Sequence, residues 1–126
     1  MPKKILAVDD SETMLQLISF ALSKEGYSVV TAKDGIDALK MLGKDENFSV
    51  IITDINMPNM DGIALIKEIR NLPKCKYTPI IMVTTDSHTD KKAEGKAAGA
   101  TGWIVKPFQI QQLVAVINKV SPNEHP

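Results

Sequence analysis

Apolar residues follow two kinds of spacing that alternate along the chain. One is a short run rich in β-branched residues: Ile5–Val8, Tyr27–Thr31, Val50–Thr53, Ile80–Thr84 and Trp103–Val105. Such runs are too short for helices and too continuously apolar for a sheet with one wet face, so they predict strands buried on both faces of a parallel sheet. The other spacing is the helical i, i+3, i+4 stripe. Met14, Leu15, Ile18, Ala21 and Leu22 form one, with Gly26 as its stop. Ile36, Leu39 and Leu42 form a second between Asp34 and Gly43, and Ile63, Leu65, Ile66 and Ile69 a third between Asp61 and Pro73. Ile110, Leu113, Val114 and Ile117 form the last. Aspartate at the start and glycine at the end are the residues that cap helices. The stretch from His88 to Ala98 also predicts a helix, stopped by Gly99, but its apolar residues are only Ala93, Ala97 and Ala98. It can bury little area and should be the most loosely held helix.

Five strands alternating with five helices predict an α/β fold, a parallel sheet with helices on both faces and right-handed crossovers. A length of 126 residues suits one domain. Residues 1–120 are expected to form it, and the polar tail 121–126, with two prolines, is expected to fray. No second domain follows within these residues, so output through a surface is expected.

Charge narrows the function classes. Fifteen Lys and Arg balance fifteen Asp and Glu, so no global attraction to nucleic acid or an anionic membrane is expected. The single cysteine, Cys75, cannot form an internal disulfide and fits a reducing compartment. Without a long apolar run for a signal peptide or membrane span, a cytoplasmic protein is expected.

The chemistry gathers where strands end, which is where open α/β sheets bind ligands. The first strand ends in Asp9-Asp10, the third in Asp54, the fourth in Thr84-Thr85-Asp86 and the fifth in Lys106-Pro107-Phe108. Carboxylates ~4 Å apart repel by roughly 4 kcal/mol at an effective dielectric of 20, so Asp9, Asp10 and Asp54 together need a proton or a cation. An all-oxygen site suits Mg2+, with Mn2+ as a substitute. Lys106 and the Thr84 hydroxyl suit phosphate oxygens. The set predicts phosphoryl transfer onto a carboxylate. Taken singly, each residue also has an ordinary structural use as a turn, a cap or a strand end.

These residues, with Asp54-Ile55-Asn56-Met57-Pro58-Asn59-Met60-Asp61-Gly62, make the chain similar to the receiver domains of bacterial two-component response regulators, of the single-domain, CheY-like chemotaxis type. The resemblance runs from Lys4 to about Val120 and implies a flavodoxin-like sheet of order 2-1-3-4-5. It implies that Asp54 accepts a phosphoryl group from a sensor histidine kinase, such as one of the CheA type. Asp9, Asp10, Asp54 and the backbone carbonyl of Asn56 would hold the metal. Thr84 and Lys106 would bind the phosphoryl group, and the Lys106-Pro107 bond would be cis, with a trans proline opening the last helix as the alternative. Thr84 and Trp103 would be the switch pair; a simple core tryptophan is the other reading of Trp103. Asn56, Thr85 and Asp86 would govern the approach of water. The expected protein is a monomer whose surface at about 88–119 binds a downstream target such as a flagellar motor switch protein.

Two other functions fit parts of the pattern. A phosphorelay shuttle would use the same site. A haloacid-dehalogenase-type phosphatase also uses an aspartate nucleophile, magnesium and lysine, but wants a second aspartate two residues on as general acid. Asn56 stands there and carries no carboxylic proton.

Overall fold

The computed structural model describes residues 3–44, 47–55, 57, 60–85 and 89–120, with the backbone alone at 89–91. Five strands alternate with five helices: β1 (Lys4–Val8), α1 (Glu12–Lys24), β2 (Ser28–Ala32), α2 (Gly35–Leu42), β3 (Val50–Asp54), α3 (Gly62–Arg70), β4 (Ile80–Thr84), α4 (Thr89–Ala98), β5 (Gly102–Val105) and α5 (Ile110–Val120). A 3₁₀ turn at Pro73–Cys75 precedes β4. The strands lie in the order β2-β1-β3-β4-β5, every neighbour parallel.

Alternation along each strand divides the core in two, because successive side chains point to opposite faces. Leu6, Val8, Ile51, Ile80 and Met82 face one side and pack with Ala38, Leu42, Leu65, Ile66, Ile69 and Ala98 of α2, α3 and α4. Ile5, Ala7, Val50, Ile52, Ile81, Val83 and Ile104 face the other, against Leu15, Ile18 and Leu22 of α1 and Leu113 and Ile117 of α5. Full burial of one such aliphatic side chain stabilises by roughly 1.5–3 kcal/mol. Ser11, Asp34 and Asp61 accept hydrogen bonds from the amides of Met14, Asp37 and Ala64, fixing the starts of α1, α2 and α3.

Burial on both faces holds for β3 and β4, whose ten residues are all buried. It does not hold at the sheet edges: β2 is mostly half-buried with Thr31 exposed, and β5 buries only Ile104. Edge strands have a neighbour on one side only. Two helices also leave part of their expected apolar residues outside the core. In α2, Ile36 is 46% exposed, while Leu42 and Ala38 are buried and Gly35 lies against Met60. In α4, Ala93 and Ala97 are exposed, and Gly95 and Ala98 are buried. Small residues let these helices approach closely: a Cβ on Gly95 would stand 2.2 Å from the Met82 sulfur. His88, His125 and the tail 121–126 lie outside the described residues.

Candidate functional site

Parallel pairing brings the carboxyl ends of the strands to one edge. Val8 is level with Ala32 and Thr53, Asp54 with Val83, and Thr84 with Val105. Asp9 and Asp10 therefore emerge beside Asp54, and Lys106 emerges just past Thr84. Asp9, Asp10 and Asp54 each offer a carboxylate oxygen within 4.8 Å of the others. Asp9 and Asp54 are both only 4% exposed, whereas Asp10 is exposed.

Lys106 holds this edge together. Its Nζ donates to Asp9 Oδ2 at 3.1 Å and lies 3.5 Å from Asp54 Oδ2. Burial lowers the pKa of this ammonium, but the bond to Asp9 and the charges of Asp54 and Asp9 outweigh it and hold the value above that of an ordinary lysine. The other Asp9 oxygen accepts from the Ser11 amide at 2.9 Å, at the opening of α1. Lys106 is also tied by its backbone, its N–H donating to Thr84 O at 2.7 Å, and the Lys106-Pro107 bond is cis. The Thr84 side chain is wholly buried at the end of β4, and Thr85 beside it is exposed.

The backbone on the other side of Asp54 depends on a glycine. The Ile55 amide donates to Val83 O and the Gly62 amide to Ile55 O, both at 3.0 Å. A Cβ on Gly62 would lie 2.4 Å from the Asp54 carbonyl oxygen and 2.5 Å from Ile55 Cα. Only a residue without a side chain lets α3 begin so near the end of β3.

Of the residues singled out in the sequence, Asp9, Asp10, Asp54, Thr84, Thr85 and Lys106 meet at this edge. Asn56 and Asp86 lie outside the described residues. Trp103 lies on β5, level with Met82 and half-buried, and Lys92 Nζ stands 5.7 Å from its ring centroid. That is within cation–π range. Cys75 is a free, buried thiol, and burial pushes its pKa up against smaller opposing effects of Lys74, Thr78 and Arg70.

Sequence reasoning gave no structural role to two features. One is Gly62, which follows the helix-capping Asp61; a glycine at the first position of a helix is a signal of close backbone approach. The other is Arg70. Its guanidinium donates to the carbonyls of Cys75, Thr78 and Gly99 at 2.7–3.0 Å, tying the end of α3 to the approaches of β4 and β5. Carbonyl partners leave no mark in a sequence.

The cluster suits a cation by its chemistry. Three carboxylates against one ammonium leave a formal charge of minus two, which a divalent ion balances, and all the donors are oxygen. A carboxylate so placed beside a lysine and a buried threonine can act as a nucleophile toward phosphorus.

Comparison with known proteins agrees with this arrangement. The response regulator receiver domain model matches residues 5–118. The chain is 42% identical over 111 residues to a chemotaxis protein CheY homolog of Campylobacter jejuni, covering 87% of this chain and 85% of the relative. It is 41% identical over 118 residues to the chemotaxis protein CheY of Pseudomonas aeruginosa, covering 93% and 94%. The solved structure of the chemotaxis response regulator CheY4 of Vibrio cholerae superposes with a TM-score of 0.91 at 47% identity, over 95% of this chain and 99% of that one.

Proposed function

The chain belongs to the response regulator receiver domain family and is a response regulator of two-component signalling, and from that premise we propose that Asp54 is its phosphoryl acceptor. A receiver of this kind implies a histidine kinase as donor and a downstream target as reader. It is a signalling protein and not a classical enzyme; the catalysis proposed for it acts on its own side chain. The names of its relatives favour chemotaxis as the pathway, with a CheA-type kinase as donor and a motor switch protein as reader. No described helix is long and apolar enough to cross a membrane.

The observation that carries the reading is one lysine bridging Asp9 and Asp54 inside a cluster of three carboxylates. An Asp54 oxygen attacks phosphorus, the new O–P bond forms as the bond to the donor breaks, and the electron pair leaves with the donor group. Lys106 is close enough to exchange its contact with Asp54 for one with a phosphoryl oxygen. Thr84, at the end of the neighbouring strand, offers a hydroxyl. Asp9, Asp10 and Asp54 would hold Mg2+, with Asn56 contributing its carbonyl. When bound, the ion supplies positive charge that offsets repulsion between carboxylate and phosphate. Asn56, Thr85 and Asp86 would then set how easily water reaches the acyl phosphate. Thr84 and Trp103 would carry the change to the face around α4 and β5.

The test is intact-mass measurement after incubation with acetyl phosphate and magnesium. A gain of one phosphoryl group is expected, and Asp54→Asn should abolish it. Full labelling of that variant would overturn the assignment.

A further inference from the structure

β3 reads Val50-Ile51-Ile52-Thr53-Asp54, so a hydroxyl breaks its apolar run just before the acceptor. Thr53 is level with Val8 of β1 and Met82 of β4, in the middle of the sheet, and is wholly buried. By the alternation of the strands it points to the side that Val8, Ile51 and Met82 also face. A hydroxyl taken out of water into such a place costs free energy unless it is bonded. This one donates to the backbone carbonyl of Asp54 at 2.9 Å. We propose that Thr53 is a positioning residue for phosphoryl transfer: its hydroxyl fixes the peptide that leaves Asp54, and with it the direction of the acceptor carboxylate. The proposal rests on the reading of Asp54 as phosphoryl acceptor.

The peptide joining Asp54 to Ile55 is held at both ends. Its oxygen accepts from the Thr53 hydroxyl, and its N–H donates to Val83 O at 3.0 Å. Gly62, the first residue of α3, stands so near the same oxygen that a Cβ there would lie 2.4 Å from it. The Gly62 amide also donates to Ile55 O at 3.0 Å, which ties the next peptide to the same helix start. A peptide is a rigid plane, so holding it at its oxygen and its nitrogen fixes the backbone torsions on either side. One of those torsions sets where the Asp54 side chain leaves the chain. Loosening the oxygen end lets the plane tilt and carries the carboxylate away from its place 3.5 Å from Lys106 Nζ. Small misplacements of a reacting group cost rate far more than they cost stability.

Packing asks for no hydroxyl at this position. Valine keeps the branched shape that strands favour and has no polar group to desolvate. Branching matters to the aim, because it leaves the first torsion of Thr53 few choices and keeps the hydroxyl on the Asp54 carbonyl. The hydroxyl therefore acts through the carbonyl it holds, one residue along, at the acceptor.

The experiment compares wild type with Thr53→Val, Thr53→Ser and Thr53→Ala. It measures the initial rate of labelling by acetyl phosphate at saturating magnesium, by intact mass, amide exchange at Ile55 and Gly62 in metal-free protein, and denaturant unfolding. Thr53→Val should label roughly three- to ten-fold more slowly and exchange faster at both amides, with an unfolding midpoint no lower than that of the wild type. Thr53→Ser, which retains the hydroxyl, should keep most of the wild-type rate. If Thr53→Val does not fold, Thr53→Ser against Thr53→Ala gives the same contrast, since those two differ by the hydroxyl alone. Labelling and exchange at wild-type rates in Thr53→Val would overturn the proposal, and so would slowing in Thr53→Ser equal to that in the variants without a hydroxyl. A wild-type protein that takes up no phosphoryl group is a separate outcome, in which the acceptor reading itself falls.

Discussion

Asp9 and Asp10 are adjacent and carry the same charge, yet the fold gives them different work. Asp9 is buried, with one oxygen on the Ser11 amide and the other on Lys106, whereas Asp10 is exposed. Removing a charge from each should therefore separate folding from metal binding. Asp10→Asn should weaken magnesium binding by roughly ten-fold or more while stability stays within about 0.5 kcal/mol. Asp9→Asn should weaken magnesium and also lower stability by about 1–3 kcal/mol, since it weakens two charge-assisted hydrogen bonds. Magnesium titration and denaturant unfolding of both variants check this; equal loss of stability in the two would contradict it. Thr85 offers a second comparison. It is exposed just past Thr84, where a β-branched side chain, stiff at its first torsion, would crowd water approaching the acyl phosphate proposed on Asp54. Thr85→Ala should speed loss of the phosphoryl group by a few-fold to ten-fold, about 1 kcal/mol of barrier, in a single-turnover decay. A slower decay would show that Thr85 helps to hold the water.

At the scale of elements, α4 depends on a glycine that helix propensity disfavours. Gly95 is buried over Met82, itself fully buried in the sheet, and a Cβ there would meet both the sulfur and the methyl of that side chain. Alanine should gain up to about 1 kcal/mol of propensity at an exposed helical site. Here overpacking should prevail, because Met82 is itself fully buried, and Gly95→Ala should destabilise by about 1–2 kcal/mol. In a Met82→Ala background the same change should become neutral or stabilising, and a double-mutant cycle reads the coupling. Additive effects would mean the two do not press on one another. This contact also explains what hydrophobic periodicity missed. The strands and α1, α2, α3 and α5 were legible because large aliphatic residues mark their buried faces, Leu42 in α2 among them. α4 packs through Gly95 and Ala98, which carry almost no hydrophobic signal, and of its expected apolar residues Ala93 and Ala97 are exposed and only Ala98 is buried. The site was legible for a different reason. Its residues sit directly after strands, and parallel pairing leaves strand ends little choice of neighbour. The grip of Arg70 was not, because it depends on how far apart elements come to rest.

The whole molecule is held unevenly, and the unevenness lies between the acceptor and the face around Trp103. β3 and β4 are buried throughout, and α1, α3 and α5 each bury large aliphatic side chains against the sheet. α4 has only Gly95 and Ala98 buried among its described side chains, so little apolar area opposes its local opening. Its two ends differ as well. Past its C-terminal end, Arg70 grips the Gly99 carbonyl, and the Gly99 amide continues the helical bonding to Gly95 and Lys96. Its N-terminal end follows Thr84 and Thr85, the segment that a phosphoryl group on Asp54 would engage. A helix anchored at one end and lightly packed along its length responds by moving the other end. Amide hydrogen exchange should therefore be faster across α4 than across α1, α3 or α5, and faster toward Thr89 than toward Ala98. Loading Asp54 with beryllofluoride should change exchange most in the first half of α4. The same loading should alter the fluorescence of Trp103, the only tryptophan, whose ring lies under the α4 residue Lys92. Exchange in α4 as slow as in α3, or loading that leaves both α4 and Trp103 unchanged, would mean that the signal leaves the site by another route.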